Sequence, residues 1–156
     1  MHRSLKLSWT AVLVAPLLFA APTAAAPHRR TASRVKPLIT LHRTRVGLVL
    51  ANGQGHTLYV FLKDKGGKSS CYGACAQVWP PLLKGKTRIV VGKGVRAKLV
   101  GTVRRNNGSI QLTYAHHPLY TYAPDTKPGE ANGQGVLSFG GRWYVISPSG
   151  RLITRR

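Results

Sequence analysis

The sequence predicts an all-β protein, a compact small sandwich or barrel built from two related hairpin-containing repeats, with one short helical turn near its two cysteines. Three observations carry this. From Thr44 onward the chain runs in short apolar stretches separated by Gly, Asn and Pro, the pattern of strands joined by tight turns. No segment sustains the 3.6-residue apolar period of a long helix. The chain also repeats itself: Leu58-Tyr59-Val60-Phe61-Leu62-Lys63-Asp64 maps onto Leu119-Tyr120-Thr121-Tyr122-Ala123-Pro124-Asp125 at an offset of 61 residues.

Taken in order, residues 46–50 and 57–62 read as a hairpin around Asn52-Gly53-Gln54-Gly55. Segments 88–91 and 95–104 read as the next strands. Asn106-Asn107-Gly108 supplies the positive φ angles of a tight turn into 109–114. Strands are then expected at 119–122, 136–139 and 142–147, and Pro148-Ser149-Gly150 turns the chain into a last one at 152–154. The helical turn is placed within 71–78.

Ahead of the β domain lie two segments of different composition. Residues 1–25 read as an export signal, with Arg3 and Lys6 before an apolar run at 7–21 and small residues at the cut. The run is shorter than the roughly 20 apolar residues a bilayer core requires, so no transmembrane span is expected after cleavage. Residues 26–43, rich in Arg, Ser, Thr and Pro, read as a basic flexible tether. The two-repeat β domain is therefore expected at 44–156, with one repeat at about 44–83 and the other at about 108–148.

The chain carries 24 Lys and Arg against 3 Asp and Glu, a formal charge of +21 that becomes +19 once Arg3 and Lys6 leave with the signal. Such a surface attracts polyanions. Export removes nucleic acid as a partner and leaves anionic cell-wall polymer or acidic lipid headgroups. Charge also serves solubility alone, and composition does not separate the two.

The duplicated unit has its own physical reading. Residues two apart on a strand share a face, so Tyr59 and Phe61 point one way, as do Tyr120 and Tyr122. Asp64 and Asp125 fall just past the strand ends, where a carboxylate can accept backbone N–H bonds and hold the following loop. Trp79 and Trp143 occupy comparable places downstream. Duplicated units that cannot bury their apolar faces alone build a shared core, so these eight residues are read as structural. A ligand role for the aspartate pair is the sharper alternative.

Together, Leu58-Tyr59-Val60-Phe61-Leu62-Lys63-Asp64, Ser70-Cys71-Tyr72-Gly73-Ala74-Cys75, Trp79-Pro80-Pro81-Leu82 and His117-Pro118-Leu119-Tyr120 resemble the bacterial secreted-repeat lipoprotein family with a Tyr-x-[Phe/Trp/Tyr]-x-x-Asp motif. The resemblance spans about residues 44–148. It implies export and tandem copies, and attaches no established activity. No cysteine precedes Cys71, so the family's lipid anchor is not carried over.

Cys71 and Cys75 are the only cysteines of an exported chain, and a disulfide is the leading reading. A regular helix would hold their Cβ atoms about 5–6 Å apart, beyond the roughly 3.5–4.5 Å a disulfide needs, so Gly73 is expected to tighten the segment. A redox or metal-binding dithiol is the alternative, without C-x-x-C spacing. His56 and His117 precede the two aromatic strands and could share a metal, although a site needs three or four converging ligands. Adjacent His116 points to the other face. No Gly-x-Ser-x-Gly elbow or phosphate loop is present, and no cofactor is implied.

The expected function is therefore an exported, non-catalytic cell-envelope module whose basic surface docks on anionic wall polymer or lipid headgroups. The alternative is a redox or metal-handling extracytoplasmic protein using Cys71, Cys75, His56 and His117. An enzyme acting on a wall component comes third.

Overall fold

A computed structural model describes residues 36–86 and 88–155, which fall within one unit spanning Arg34–Arg156. The signal at 1–25 and most of the tether lie outside the described residues. The end of the tether does not. Ile39–Thr44 is strand β1, paired antiparallel with β2 (Gly47–Asn52), and Ile39 is fully buried. The β domain thus starts five residues earlier than the composition indicated, because Ile39 and Leu41 alternate with polar residues and share one apolar cluster.

Seven more strands follow: β3 (Tyr59–Phe61), β4 (Val100–Arg104), β5 (Ile110–Tyr114), β6 (His117–Pro118), β7 (Leu137–Ser138), β8 (Gly141–Ile146) and β9 (Leu152–Ile153). They form a two-stranded sheet β1-β2, a three-stranded sheet β4-β5-β6, and a four-stranded sheet in which β8 pairs with β3, β7 and β9. The arrangement is sandwich-like and does not close into a barrel, which removes that half of the expectation.

The sole α-helix among the described residues, α1 (Ala74–Val78), sits inside the expected 71–78. Its preceding residue Gly73 has φ 55° and ψ −128°, a conformation essentially restricted to glycine. That kink brings the Cα atoms of Cys71 and Cys75 to 5.2 Å, and the disulfide is formed.

Three expected strands differ: 119–122 is not a continuous strand and makes isolated bridges from Tyr120 alone. Residues 88–91 contribute one parallel bridge, Val91 to Ile39, and 95–104 begins with a 3₁₀ turn at Ala97–Leu99 before β4. The expected first hairpin is a corner. Ala51 and Thr57 bridge across the turn, and Leu58 donates its N–H to the Leu50 carbonyl. Beyond it the chain leaves β2, and β3 pairs instead with β8 at Tyr59–Val145 and Phe61–Trp143.

That exchange organises the molecule. The third strand segment of the first repeat (59–61) pairs with the last segment of the second (143–145). The matching segment of the second repeat (120–122), with Leu119 before it, bonds to the end of the first, with Tyr120 bridging Pro81, Leu82 donating to the Leu119 carbonyl and Thr121 to the Pro80 carbonyl. At this junction each repeat supplies backbone partners for the other, while β1-β2 and β4-β5-β6 pair within their own repeats. Two apolar clusters result. One gathers Tyr59, Phe61, Trp79, Tyr120, Trp143 and Val145, and the other Ile39, Leu50, Leu58, Leu112, Leu119 and Ile146.

Candidate functional site

The eight duplicated residues meet at the junction of the repeats. Tyr59 and Tyr120 form an antiparallel bridge, with Tyr59 N–H to Tyr120 carbonyl at 2.8 Å and the return bond at 3.0 Å. From this pair the two rings reach in opposite senses. The Tyr59 hydroxyl donates to Asp125 Oδ2 at 2.6 Å, and the Tyr120 hydroxyl to Asp64 Oδ2 at 2.8 Å. Each repeat's tyrosine therefore closes on the other repeat's aspartate.

The second oxygen of each carboxylate holds its own loop. Asp64 Oδ1 accepts from the Ser70 N–H and hydroxyl, both at 2.8 Å, and Asp125 Oδ1 from the Asn132 N–H at 3.0 Å. Burial raises the Asp64 carboxyl above its ordinary value, against the donors that favour its charged form. Burial, with the neighbouring carboxylates, also pushes both tyrosine hydroxyls well above the usual range. They are neutral donors at any physiological pH. With both oxygens of each carboxylate engaged, the constellation is arranged to hold loops.

Around it the rings form a column. Phe61 stacks on Trp143 at 4.1 Å, Trp143 on Trp79 at 3.9 Å with planes 1° apart, and Trp79 on Tyr122 at 4.1 Å. Tyr59 and Tyr120 meet the two tryptophans edge-on at 5.4 and 5.1 Å. The column alternates between repeats at its centre, so its dispersion energy also belongs to the pairing. A Cβ added to Gly133 would lie 2.7 Å from the Trp79 ring, so only glycine passes there, and its N–H reaches the Tyr59 hydroxyl. The turn at 132–135 thus forms one wall of the latch.

The histidines do not come together as a ligand set. His56 Nδ1 bonds the Asp125 backbone carbonyl at 3.0 Å, while His117 lies on the Asp64 side, its imidazole lowered by burial. Among the described residues no group of three His, Cys, Asp or Glu side chains is placed to hold a metal. Cys71 and Cys75 are 0 % and 6 % exposed, and their disulfide is buried.

One group gave no signal in the sequence. Arg105 is buried, donating to Ser69 Oγ at 2.7 Å, Gln111 Oε1 at 2.6 Å and the Cys71 carbonyl at 2.6 Å, with its guanidinium 4.4 Å from the Tyr72 ring centre. The Ser69 hydroxyl in turn donates to the Tyr120 hydroxyl oxygen at 2.7 Å, since the tyrosine proton is committed to Asp64, and this ties the arginine to the Asp64 latch. Among twenty-four basic residues nothing marked this one as internal.

Two open grooves are lined by none of the latch tyrosines and aspartates. One of about 540 Å³ is lined by Leu48, Ser147, Arg151, Ile153 and Arg155. The other, of about 460 Å³, is lined by Gly66, Gly67, Thr102, Thr113 and His116.

Fold and site thus define a two-repeat all-β module whose duplicated residues are spent on joining its halves. Residues 41–83 and 101–147 each match the family model Lipoprotein_15, described as a secreted repeat of unknown function. The matches cover more than half of the chain, and it belongs to that family, which places it outside the cytoplasm. No curated protein and no solved structure matches it. Among the described residues, no helix is long and apolar enough to cross a membrane.

Proposed function

We propose that the chain is a non-catalytic envelope module whose basic surface docks on phosphate-bearing anions of the cell envelope, wall polymer or acidic lipid headgroups. The fate of the three acids carries this reading. Among the described residues, the hydrogen bonds to Asp64, Asp125 and Glu130 come from tyrosine and serine hydroxyls and from backbone N–H groups. The few negative charges are therefore engaged by neutral donors, and the many Lys and Arg side chains keep their charge for an external partner. The Tyr-x-aromatic-x-x-Asp spacing, on this view, is the signature of the repeat as a joining device.

The redox or metal-handling alternative has no observation in its favour, given the buried disulfide and the separated histidines. Retention on isolated cell wall and on anionic vesicles tests the docking reading. Binding at low salt should fade steeply as added salt shortens the screening length. Retention that ignores salt, or none at low salt, overturns it.

A further inference from the structure

The tip of the β7–β8 hairpin carries a feature that the fold does not require. Leu137 is 66 % exposed and Phe139 40 %, and Leu62, at the end of β3, is 44 % exposed. The register places the two leucines together. Leu137 pairs with Arg142 across β7–β8, and the Leu62 N–H bonds the Arg142 carbonyl at 3.0 Å on the other side. Residues directly opposite in neighbouring strands project to the same face. Leu62 and Leu137 therefore flank Arg142 on the face opposite Phe61 and Trp143, which turn into the core.

Phe139 sits at the turn itself with φ 53°, a conformation that costs a bulky side chain and that Gly or Asn would adopt freely. An aromatic ring held half-exposed in a strained turn is not explained by folding. The comparison between repeats makes the same point. The last segment of the first repeat is entered through the disulfide-closed α1, whereas the same place in the second repeat holds this hairpin. The duplicated frame therefore stands without an apolar tip.

Cations surround the tip. Lys63 Nζ donates to the Phe139 carbonyl at 3.3 Å, Arg142 lies between the leucines, and the adjoining loop exposes Lys65 and Lys68. A soluble polyanion would use these charges and leave the apolar side chains idle. A layer of anionic headgroups over hydrocarbon uses both, the cations at the surface and the Leu and Phe side chains just below it.

We infer that Leu62, Leu137 and Phe139, ringed by Lys63 and Arg142, form a membrane-docking tip that inserts shallowly into a bilayer of anionic phospholipid. The inference rests on the docking reading above and names the partner of that basic surface.

Protein recovered after export, with its N-terminus verified by mass spectrometry, is compared with its L137T/F139G variant. Flotation with phosphatidylcholine vesicles, with and without phosphatidylglycerol, is run beside binding to soluble polyphosphate. Both replacements suit their backbone positions, and F139G relieves strain, so a retained melting temperature verifies folding. The expected result is at least a roughly tenfold loss of affinity for phosphatidylglycerol vesicles, with polyphosphate binding unchanged. Equal vesicle binding by parent and variant would overturn the membrane tip while leaving the docking reading intact. Parallel loss of vesicle and polyphosphate binding by a folded variant would also overturn it. If the parent binds neither probe at low salt, both readings fall.

Discussion

The hydroxyl of Tyr59 lies 2.6 Å from the carboxylate of Asp125, a bond between residues 66 apart in sequence that joins one repeat to the other. Its counterpart from Tyr120 to Asp64 spans 56 residues in the opposite sense. Long-range side-chain bonds of this kind are made only when both repeats are folded and paired.

The two latches should not be equal. In Tyr59→Phe, Asp125 keeps the Asn132 N–H alone, and the Gly133 N–H loses its acceptor. In Tyr120→Phe, Asp64 retains both bonds from Ser70 and is the more solvated carboxylate, and Ser69, which loses its Tyr120 partner, is itself only half-buried. A buried polar group left unpaired costs about 1–3 kcal/mol. Urea denaturation should place Tyr59→Phe in that range and Tyr120→Phe below it. The reverse order would show that the hydroxyl–carboxylate bonds do not set the junction's stability.

The tryptophan pair separates stacking from hydrogen bonding. Trp79 Nε1 donates to Ser138 Oγ at 3.1 Å, whereas buried Trp143 Nε1 finds no acceptor among the described residues. Replacement by Phe trims each stack to a similar degree. Trp79→Phe also gives up a hydrogen bond, while Trp143→Phe removes an unpaired donor. Trp79→Phe should therefore be the costlier change by about 1 kcal/mol, measured from denaturation midpoints at matched slopes.

Much of this junction was legible because duplication reveals which residues matter to both halves. The spacing of Tyr59, Phe61 and Asp64, repeated at Tyr120, Tyr122 and Asp125, marked the tyrosines and aspartates that bond across the junction, but not Gly133, Asn132 or Ser69 beside them. Their exchange between repeats was not legible, since a repeat that pairs internally and one that pairs with its neighbour share the same pattern. Strand β1 was hidden for a different reason. Pro37, His42 and Arg43 gave 26–43 a tether's composition, although Ile39 and Leu41 keep the two-residue period of a half-buried strand. Arg105 could be recognised only from its surroundings, because one buried guanidinium does not differ in sequence from the solvated ones beside it. Leu137 and Phe139 read as ordinary strand residues until the register exposed them.

Disulfide removal gives a local measurement. The Cys71–Cys75 ring closes a five-residue segment, for which lost unfolded-state entropy predicts about 2 kcal/mol. Cys71→Ser/Cys75→Ser should lower stability by that amount and leave the far junction intact, since Arg105 still clamps the Cys71 carbonyl. Loss of native near-ultraviolet dichroism from the tryptophan column in this variant would mean that the disulfide holds the whole core.

The response to pH should reveal the two titrating neighbours as opposing slopes. Burial raises Asp64 above 3.8, so the folded chain holds its proton to higher pH than the unfolded chain does, and its contribution to stability falls as pH rises from 3.8 through the raised value. His117 is lowered from 6.5 by burial, so the unfolded chain takes up its proton first, and stability falls as pH drops from 6.5 through the lowered value. In the parent the two slopes have opposite signs, the aspartate's window opening at 3.8 and the histidine's closing at 6.5. Asp64→Asn should leave the histidine slope, with stability increasing toward neutrality, and His117→Asn should leave the opposite one. Urea midpoints taken across this range on the parent and both variants decide the matter, and variants that track the parent at every pH would show that neither group carries the linkage.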